Sequence, residues 1–183
     1  MTETTTASPS ARGDAGQTFL VGDTLYLRGL ETDDASRATA WRASPFPIPV
    51  ERAETILKEE IPSQAERWVT TLVACRRADD EPVGAATMHL EGWRIATVLL
   101  HADPALGSAS DTKAEILRLV VPWLSDERHL MAVWAELDDE VPVVAAAEAI
   151  GMRPAYRLRE ALWRGGRRQD KVCYELLHPA WLE

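Results

Sequence analysis

The chain has 183 residues, of which 46% are hydrophobic and 27% charged, a balance typical of one globular domain. The formal net charge of -9 argues against a nucleic-acid-binding face. No apolar run approaches the ~20 residues that a membrane-spanning helix needs, and the 2 cysteines match no metal-ligand spacing. Together these features predict a reduced, cytoplasmic protein with neither a membrane span nor a metal site.

Residues 1–17 are rich in Thr, Ser, Ala and Gly and lack the charged-then-apolar pattern of a secretory signal. This composition predicts a disordered tail over 1–17, followed by one folded domain over 18–183. Hydrophobic spacing within that domain predicts the elements in chain order. They are a strand at 24–30, helices within 31–44 and 50–61, strands at 68–77, 82–93 and 94–102, a helix lined by Ala114, Leu117, Val121 and Leu124, a strand at 129–137, a helix at 141–150, and two strands within 153–177.

Glycine and proline mark several element ends. Glu91-Gly92 predicts a tight hairpin, Gly151 a helix stop, and Gly165-Gly166 the last turn. Pro122 predicts a kink because it removes a backbone donor from its helix. The order of elements predicts a mixed α/β domain whose mostly antiparallel sheet, of about six to seven strands, carries helices on both faces.

The stretch DPALGSASDTKAEIL, residues 103–117, reads as a strand end, a loop of small residues and the start of an amphipathic helix. A helix N-terminus attracts phosphate through its unpaired N–H groups and its dipole. Asp111 would oppose a nearby phosphate by about 1 kcal/mol in water. Thr112 and Glu115 form a T-x-x-E capping box that predicts a helix satisfied without any ligand. Two interpretations stay open: Lys113 and Ser110 compensate and bind phosphate, or this is an ordinary capped surface helix.

Four stretches carry a resemblance to the GNAT acetyltransferase superfamily: LYLRGLETDDA, EPVGAATMHL, LLHADPAL and AEAIGMRPAYRLREALWRGGRRQDKVCYELL. Within it, the chain is most similar to the Rim-type branch, which acetylates N-terminal amines of ribosomal proteins. The resemblance covers about residues 22–182, and the closing segment is its most specific part.

The resemblance implies a domain whose fourth and fifth strands diverge to seat the pantetheine arm of acetyl-CoA. The cofactor's pyrophosphate would then lie at the N-terminus of the following helix. The positions that match the cofactor site are Leu99, Leu100, Gly107, Ser108, Ala109, Ser110, Asp111, Thr112 and Lys113. This loop is degenerate: Ser108 stands at the family's Arg position, and Ala109, Asp111 and Lys113 stand at three glycine positions.

Acetyl transfer to an amine needs a base, donors for the tetrahedral oxyanion and an acid for the leaving thiolate. The position that matches the family's strand glutamate is Ile95, and its acid positions fall on Val143 and Ala147. The Asn that opens the same helix in the family falls on Glu140. None of these four residues has the chemistry of its counterpart.

His101 and Glu136 are the predicted catalytic residues, because both would lie where the two diverging strands open. Glu91 and Tyr156 are alternates. Positioning of the two reactants alone could also supply several kcal/mol without a dedicated base.

The resemblance implies an acyl-CoA-dependent N-acetyltransferase that acts on a primary amine by direct attack on the thioester. The amine is a small molecule or a peptide N-terminus, and the acidity of the chain favours a cationic one. The alternative is a GNAT-fold pseudoenzyme that has lost normal acetyl-CoA binding and serves as a binding protein or runs a different reaction. Because GNAT proteins often dimerise, a homodimer is a candidate assembly.

Overall fold

The computed structural model describes residues 18–44, 46–64, 68–92, 94–164 and 166–181. The predicted tail over 1–17 therefore lies outside the described residues. The strands are β1 Thr18–Val21, β2 Leu25–Gly29, β3 Val69–Arg76, β4 Pro82–Glu91, β5 Ile95–Ala102, β6 Ala132–Asp138, β7 Arg153–Arg164 and β8 Arg167–Leu177. The α-helices are α1 Ala38–Trp41, α2 Val50–Gln64, α3 Ala109–Pro122 and α4 Val141–Ala149. Two 3-10 turns, Thr32–Arg37 and Pro179–Trp181, and a π turn, Trp123–Glu127, complete the elements.

The strands form one 8-stranded sheet in the order β1-β2-β3-β4-β5-β6-β8-β7. Every neighbouring pair is antiparallel except β5 and β6, which run parallel. The predicted mixed, mostly antiparallel sheet is confirmed, but it has one strand more than expected. The additional strand is β1, whose 4 residues are too short to show a periodic pattern. It is ordered by pairing with β2.

Helices cover both faces of the sheet, as predicted. The larger core lies under α3 and α4 and includes Leu72, Met88, Val98, Ile116, Leu117 and Ala147. The smaller core lies under α1 and α2 and includes Trp41, Ala53, Leu57, Val73 and Cys75. Adjacent residues of β3 divide between the two cores because successive side chains of a strand point to opposite faces.

The start of α3 differs from the predicted capping box. The helix begins at Ala109 after Ser108, and Thr112 is buried within its first turns. The Glu115 carboxylate instead accepts hydrogen bonds from the backbone N–H of Thr24 at 2.8 Å and of Leu25 at 3.0 Å. The prediction was wrong because the turn between β1 and β2, distant in sequence, brings unpaired backbone donors to this carboxylate.

The end of α3 lies at Pro122, the residue for which the sequence predicts a kink. There α-helical hydrogen bonding gives way to the π turn, whose closing bond runs from Arg128 N–H to the Trp123 carbonyl at 3.1 Å. A proline cannot donate to the preceding turn, so a change of hydrogen-bond pattern at this residue is expected.

Gly84 allows α3 to lie close to β4 and β5. A Cβ atom at this position would lie 2.7 Å from the carbonyl oxygen of His101 and 3.0 Å from Ile116 Cδ1. These contacts are tighter than side chains normally tolerate, so only glycine fits without a shift of the backbone. Gly84 thereby fixes the distance between α3 and the C-terminal end of β5, where the candidate site is located.

Candidate active site where β5 and β6 diverge

The parallel strands β5 and β6 separate before they end. Their register runs from Ile95 beside Ala132 to Leu99 beside Glu136, yet β5 continues to Ala102 and β6 to Asp138. A cavity of about 150 Å³ lies at this divergence, and we call it the slot. Its lining residues are Leu99, Leu100, Lys113, Glu136, Leu137, Asp138, Val143, Leu162 and Lys171.

The start of α3 contacts the slot through a cluster of charged and polar side chains. Lys113, whose side chain is 9% exposed, donates to Asp138 Oδ2 at 2.9 Å and to the two Glu140 carboxylate oxygens at 3.2 and 3.3 Å. The Ser110 hydroxyl donates to Glu140 Oε2 at 2.8 Å. We call Ser110, Lys113, Asp138 and Glu140 the groove cluster. It holds one cation and two carboxylates, so it carries a surplus negative charge.

Glu140 is the carboxylate that bonds to Ser110 and Lys113 at the start of α3, whereas no such bond joins them to Asp111, which lies in the first turn itself. Asp111 is exposed, although the sequence places it beside the expected phosphate position. Glu140 immediately precedes α4, and α4 packs against α3. The signal in the sequence is the acidic run ELDDE at 136–140, but only the packing of α4 on α3 shows which acid meets Lys113.

A second cavity, of about 460 Å³, lies on the sheet face that α1 and α2 cover, and we call it the α1–α2 cavity. It shares Leu99 and Leu100 with the slot. Its lining residues are Trp41, Arg42, Ala43, Glu60, Val69, Thr71, Thr87, His89, Leu99, Leu100 and His101. It is therefore bordered by two imidazoles, two hydroxyls and an ion pair between Arg42 and Glu60.

His101 has a defined ring orientation at the edge of this cavity. Its Nε2 atom lies 2.8 Å from the carbonyl oxygen of Thr39 in α1. A carbonyl only accepts, so Nε2 carries the hydrogen, and Nδ1 holds the lone pair in the neutral ring. The Thr39 hydroxyl donates to Asp103 Oδ2 at 2.9 Å, which connects α1 to the loop after β5.

Glu136 lies beside Leu99 on β6, and its carboxylate accepts a hydrogen bond from Lys171. Because alternate residues of a strand share a face, Leu99, His101 and Glu136 face the same side of the sheet. His101 lines the α1–α2 cavity and Glu136 lines the slot. The structure thus brings both predicted residues to the diverging ends of the strands, in two adjoining cavities.

The alternates lie farther from the divergence. Glu91 is exposed and pairs with Ile95 at the opposite end of β5, four residues or about 13 Å from Leu99. Tyr156, on the edge strand β7, is 46% exposed. A hydrogen bond with Cys173 and, to a smaller degree, burial raise the pKa of Tyr156.

The predicted cofactor positions divide into three groups. Leu99, Leu100 and Lys113 line the slot, and Ser110 bonds to Glu140, which also accepts from Lys113. Gly107, Ser108 and Asp111 are exposed on the loop and the first turn of α3, whereas Ala109 is partly covered. Thr112 is buried, and its methyl carbon would lie 3.1 Å from a Cβ at Gly84.

Comparison with solved structures identifies the family. A protein of Sphaerobacter thermophilus DSM 20745, provisionally assigned as an acetyltransferase, is 38% identical with a TM-score of 0.69, over 86% of this chain and 96% of that one. A GNAT-family acetyltransferase of Bacillus anthracis is 14% identical with a TM-score of 0.64, over 87% of this chain and 98% of that one. The chain belongs to the GNAT acetyltransferase superfamily.

Another GNAT relative of the same fold was solved with a coenzyme A disulfide. It is Mycobacterium smegmatis RimJ, which is 15% identical with a TM-score of 0.65, over 87% of this chain and 84% of that one. The sequence itself matches no protein-family model and no curated protein.

None of the described helices has the length and apolar composition needed to cross a membrane. Within the described ranges, no three His, Cys, Asp or Glu residues form a group that could hold a metal ion.

The slot and its donors have the chemistry that an acyl-CoA requires. The diverging strands provide a gap for an extended arm, and Lys113 and Ser110 are cationic and hydroxyl donors of the kind that hold phosphate oxygens. Glu140 accepts hydrogen bonds from both donors. The residues present therefore fit the group, with one carboxylate competing for the donors of its diphosphate.

Proposed function

We propose that this GNAT protein is an acyl-CoA-dependent N-acetyltransferase that acts on a primary amine by direct attack on the thioester. The observation that carries the proposal is the meeting of the slot and the α1–α2 cavity at Leu99 and Leu100. An acyl donor in the slot and an amine in the α1–α2 cavity would meet there. Holding two reactants in contact can contribute about 7–11 kcal/mol to a bimolecular reaction.

The α1–α2 cavity supports a cationic amine as the acceptor. Glu60 contributes a carboxylate to its lining, and the hydroxyls of Thr71 and Thr87, 3.1 Å apart, can orient an ammonium group or a peptide amide. The net charge of -9 attracts cations to the whole molecule. A small-molecule amine or a peptide N-terminus fits this chemistry.

His101 is the base in this proposal. Its Nε2–H donates to Thr39, so Nδ1 would accept a proton from the substrate ammonium and leave a free amine. The amine would then form the C–N bond as the C–S bond of the thioester breaks, and the thiolate would leave as a thiol with a proton from the imidazolium or from solvent. Glu136 faces the same side and favours the charged imidazolium that results. Lys113 and Ser110 hold the anionic part of the acyl-CoA, which supplies the activated acyl group when bound.

A second candidate function is favoured by the groove cluster. Lys113 and Ser110 already donate hydrogen bonds to the Glu140 carboxylate, so these two donors have an acceptor without a cofactor. This arrangement suits a GNAT-fold protein that binds a partner or a small molecule without transferring an acyl group. Turnover, rather than binding alone, distinguishes the two candidates.

The test combines acetyl-CoA calorimetry with a thiol-release assay across a panel of primary amines, polyamines and peptides with free N-termini. We expect saturable binding and amine-dependent release of the coenzyme thiol. His101→Ala should lower kcat about 100-fold or more and leave the acetyl-CoA Kd unchanged. His129→Ala, an exposed histidine in the loop before β6, is the matched control and should retain full activity.

Absence of both binding and turnover would reject the transferase and favour the second candidate, in which normal acetyl-CoA binding is lost. Binding of acetyl-CoA without thiol release from any amine of the panel would reject acetyl transfer and also contradict the loss of cofactor binding.

A further inference from the structure

We propose that Glu140 is an internal competitor of the cofactor diphosphate and sets the affinity of this protein for coenzyme A. The inference rests on the proposed function, because it concerns the same slot. It assigns to Glu140 a role in binding that the Asn at the matching family position could not have, since an amide carries no charge.

The geometry identifies the donors for which Glu140 competes. Its carboxylate accepts hydrogen bonds from the Ser110 hydroxyl at 2.8 Å and from the Lys113 ammonium at 3.2 and 3.3 Å. The Lys113 side chain is only 9% exposed, so it has few alternative partners in solvent. An anion that binds at the start of α3 must share these two donors with Glu140 or displace its carboxylate.

The charges show that Glu140 is the surplus member of the groove cluster. Lys113 already has one carboxylate at 2.9 Å, that of Asp138, and a single acid neutralises a single ammonium. Glu140, whose side chain is 28% exposed, adds a second negative charge beside the same ammonium. A bound diphosphate would therefore meet a carboxylate of its own sign at the two donors that it needs.

The Glu140 side chain can be changed without loss of α4. The start of that helix is closed by the backbone carbonyl of Glu140, which accepts from Val143 N–H at 3.1 Å and Val144 N–H at 3.0 Å. Its side chain makes no capping hydrogen bond. Glu140→Gln keeps this backbone and nearly the same shape, removes the charge, and leaves Lys113 paired with Asp138.

The experiment measures the Kd of coenzyme A by calorimetry for the wild type, Glu140→Gln and Asp111→Asn, each verified as folded by its thermal unfolding. We expect Glu140→Gln to bind coenzyme A about tenfold more tightly. Asp111→Asn also removes one negative charge near the start of α3, but from an exposed side chain. It should change the Kd less than about threefold. Glu140→Ala replaces Glu140→Gln if the glutamine variant is unstable.

Two additional measurements locate the effect. Pantetheine contains no phosphate, so its Kd should be the same for the wild type and Glu140→Gln. Ser110→Ala, introduced into the Glu140→Gln variant, should lose part of the gain because it removes one of the two donors.

Each outcome decides the inference. A wild type without measurable binding and a Glu140→Gln variant that binds would support it. Equal affinities in the two proteins, an equal gain from Asp111→Asn, or an equal gain for pantetheine would overturn it and leave the transferase proposal intact. If neither the wild type nor Glu140→Gln binds at millimolar coenzyme A, both proposals fail.

Discussion

Among the described residues, two largely buried ion-pair clusters differ in how their carboxylates bond to the cation. Near α1, Arg28 donates to both carboxylate oxygens of Asp34, at 2.9 and 2.7 Å, and their side chains are 10% and 1% exposed. At the slot, Lys113 faces two carboxylates. In the first cluster Arg28 forms a bidentate pair with Asp34, and the Glu31 carboxylate lies at its edge, 3.9 Å from the guanidinium and 38% exposed. In the second, both carboxylates accept hydrogen bonds from one ammonium beside a cavity.

This difference separates a structural role from a binding role. Asp34 is saturated, because its carboxylate also accepts from Glu31 N–H at 2.8 Å and its carbonyl accepts from the Trp41 indole at 2.9 Å. Its hydrogen bonds raise the pKa of the Arg28 guanidinium further above its ordinary value. The pair holds the turn that precedes α1, the helix that orients His101. The groove cluster retains a charge that a ligand could rearrange.

The largest expected effect is on the Arg28–Asp34 pair. Asp34→Ala would remove the bidentate partner of the buried Arg28 guanidinium and leave only the Glu31 carboxylate at 3.9 Å, and loss of one partner of a buried pair costs about 3–5 kcal/mol. We expect a loss of this size in the free energy of unfolding, measured by urea denaturation.

The control for this variant is Asp33→Ala, since Asp33 is the exposed neighbour in the same turn. It should change the stability by less than about 0.5 kcal/mol. Similar losses in the two variants would show that the turn, rather than the ion pair, carries the stability.

The next largest effect concerns the close packing of α3, which carries Ser110 and Lys113, against Gly84 in β4. Gly84→Ala introduces a methyl group 2.7 Å from the His101 carbonyl, and such overpacking costs about 1–3 kcal/mol. Gly29→Ala, at an exposed position of β2 where a Cβ meets nothing within 4 Å, is the matched control and should be nearly neutral. Thermal unfolding of both variants measures the difference, and equal melting temperatures would contradict the close approach of α3.

The smallest effect concerns the Glu115 carboxylate, which accepts hydrogen bonds from neutral donors in the turn between β1 and β2. Burial raises the pKa of Glu115, but the hydrogen bonds from Thr24 and Leu25 outweigh it and hold the pKa below its ordinary value. A carboxyl with a depressed folded-state pKa stabilises the fold above its unfolded-state pKa, and this stabilisation is lost as the pH falls. Glu115→Gln should therefore be less stable than the wild type at pH 7, and the gap should close below about pH 4.

Melting temperatures between pH 7 and pH 3 measure this gap. Glu127→Gln, an exposed glutamate of the π turn, should follow the wild-type curve. A constant gap between Glu115→Gln and the wild type at every pH would show that the hydrogen bonds contribute without any linkage to protonation.

Much of the fold could be predicted, because hydrophobic periodicity is a local signal. The strands from β2 onward, α2, α4 and the stop at Gly151, where φ is +84°, follow from spacing and glycine chemistry. The short strand β1 and the true start of α3 could not be predicted. β1 has only 4 residues, too few for a periodic pattern, and depends on its pairing with β2. The start of α3 depends on the Thr24 turn, 91 residues from Glu115.

The same division applies to the site. Lys113 and Ser110 were recognised in the sequence because they follow a strand at the start of a helix. Their partner Glu140 lies 27 and 30 residues away, so no local pattern connects it with them.

The sequence by itself predicted the elements from β2 onward in chain order, the GNAT resemblance and a degenerate cofactor loop, since these predictions depend on residue types and spacing along one chain. Only the tertiary structure decided that Glu140 bonds to Ser110 and Lys113 at the start of α3, while Asp111 in the first turn is exposed. It also decided that the slot and the α1–α2 cavity meet at Leu99 and Leu100. Both results depend on how separate elements pack, and side chains that are remote along the chain become neighbours only when the core beneath them is formed.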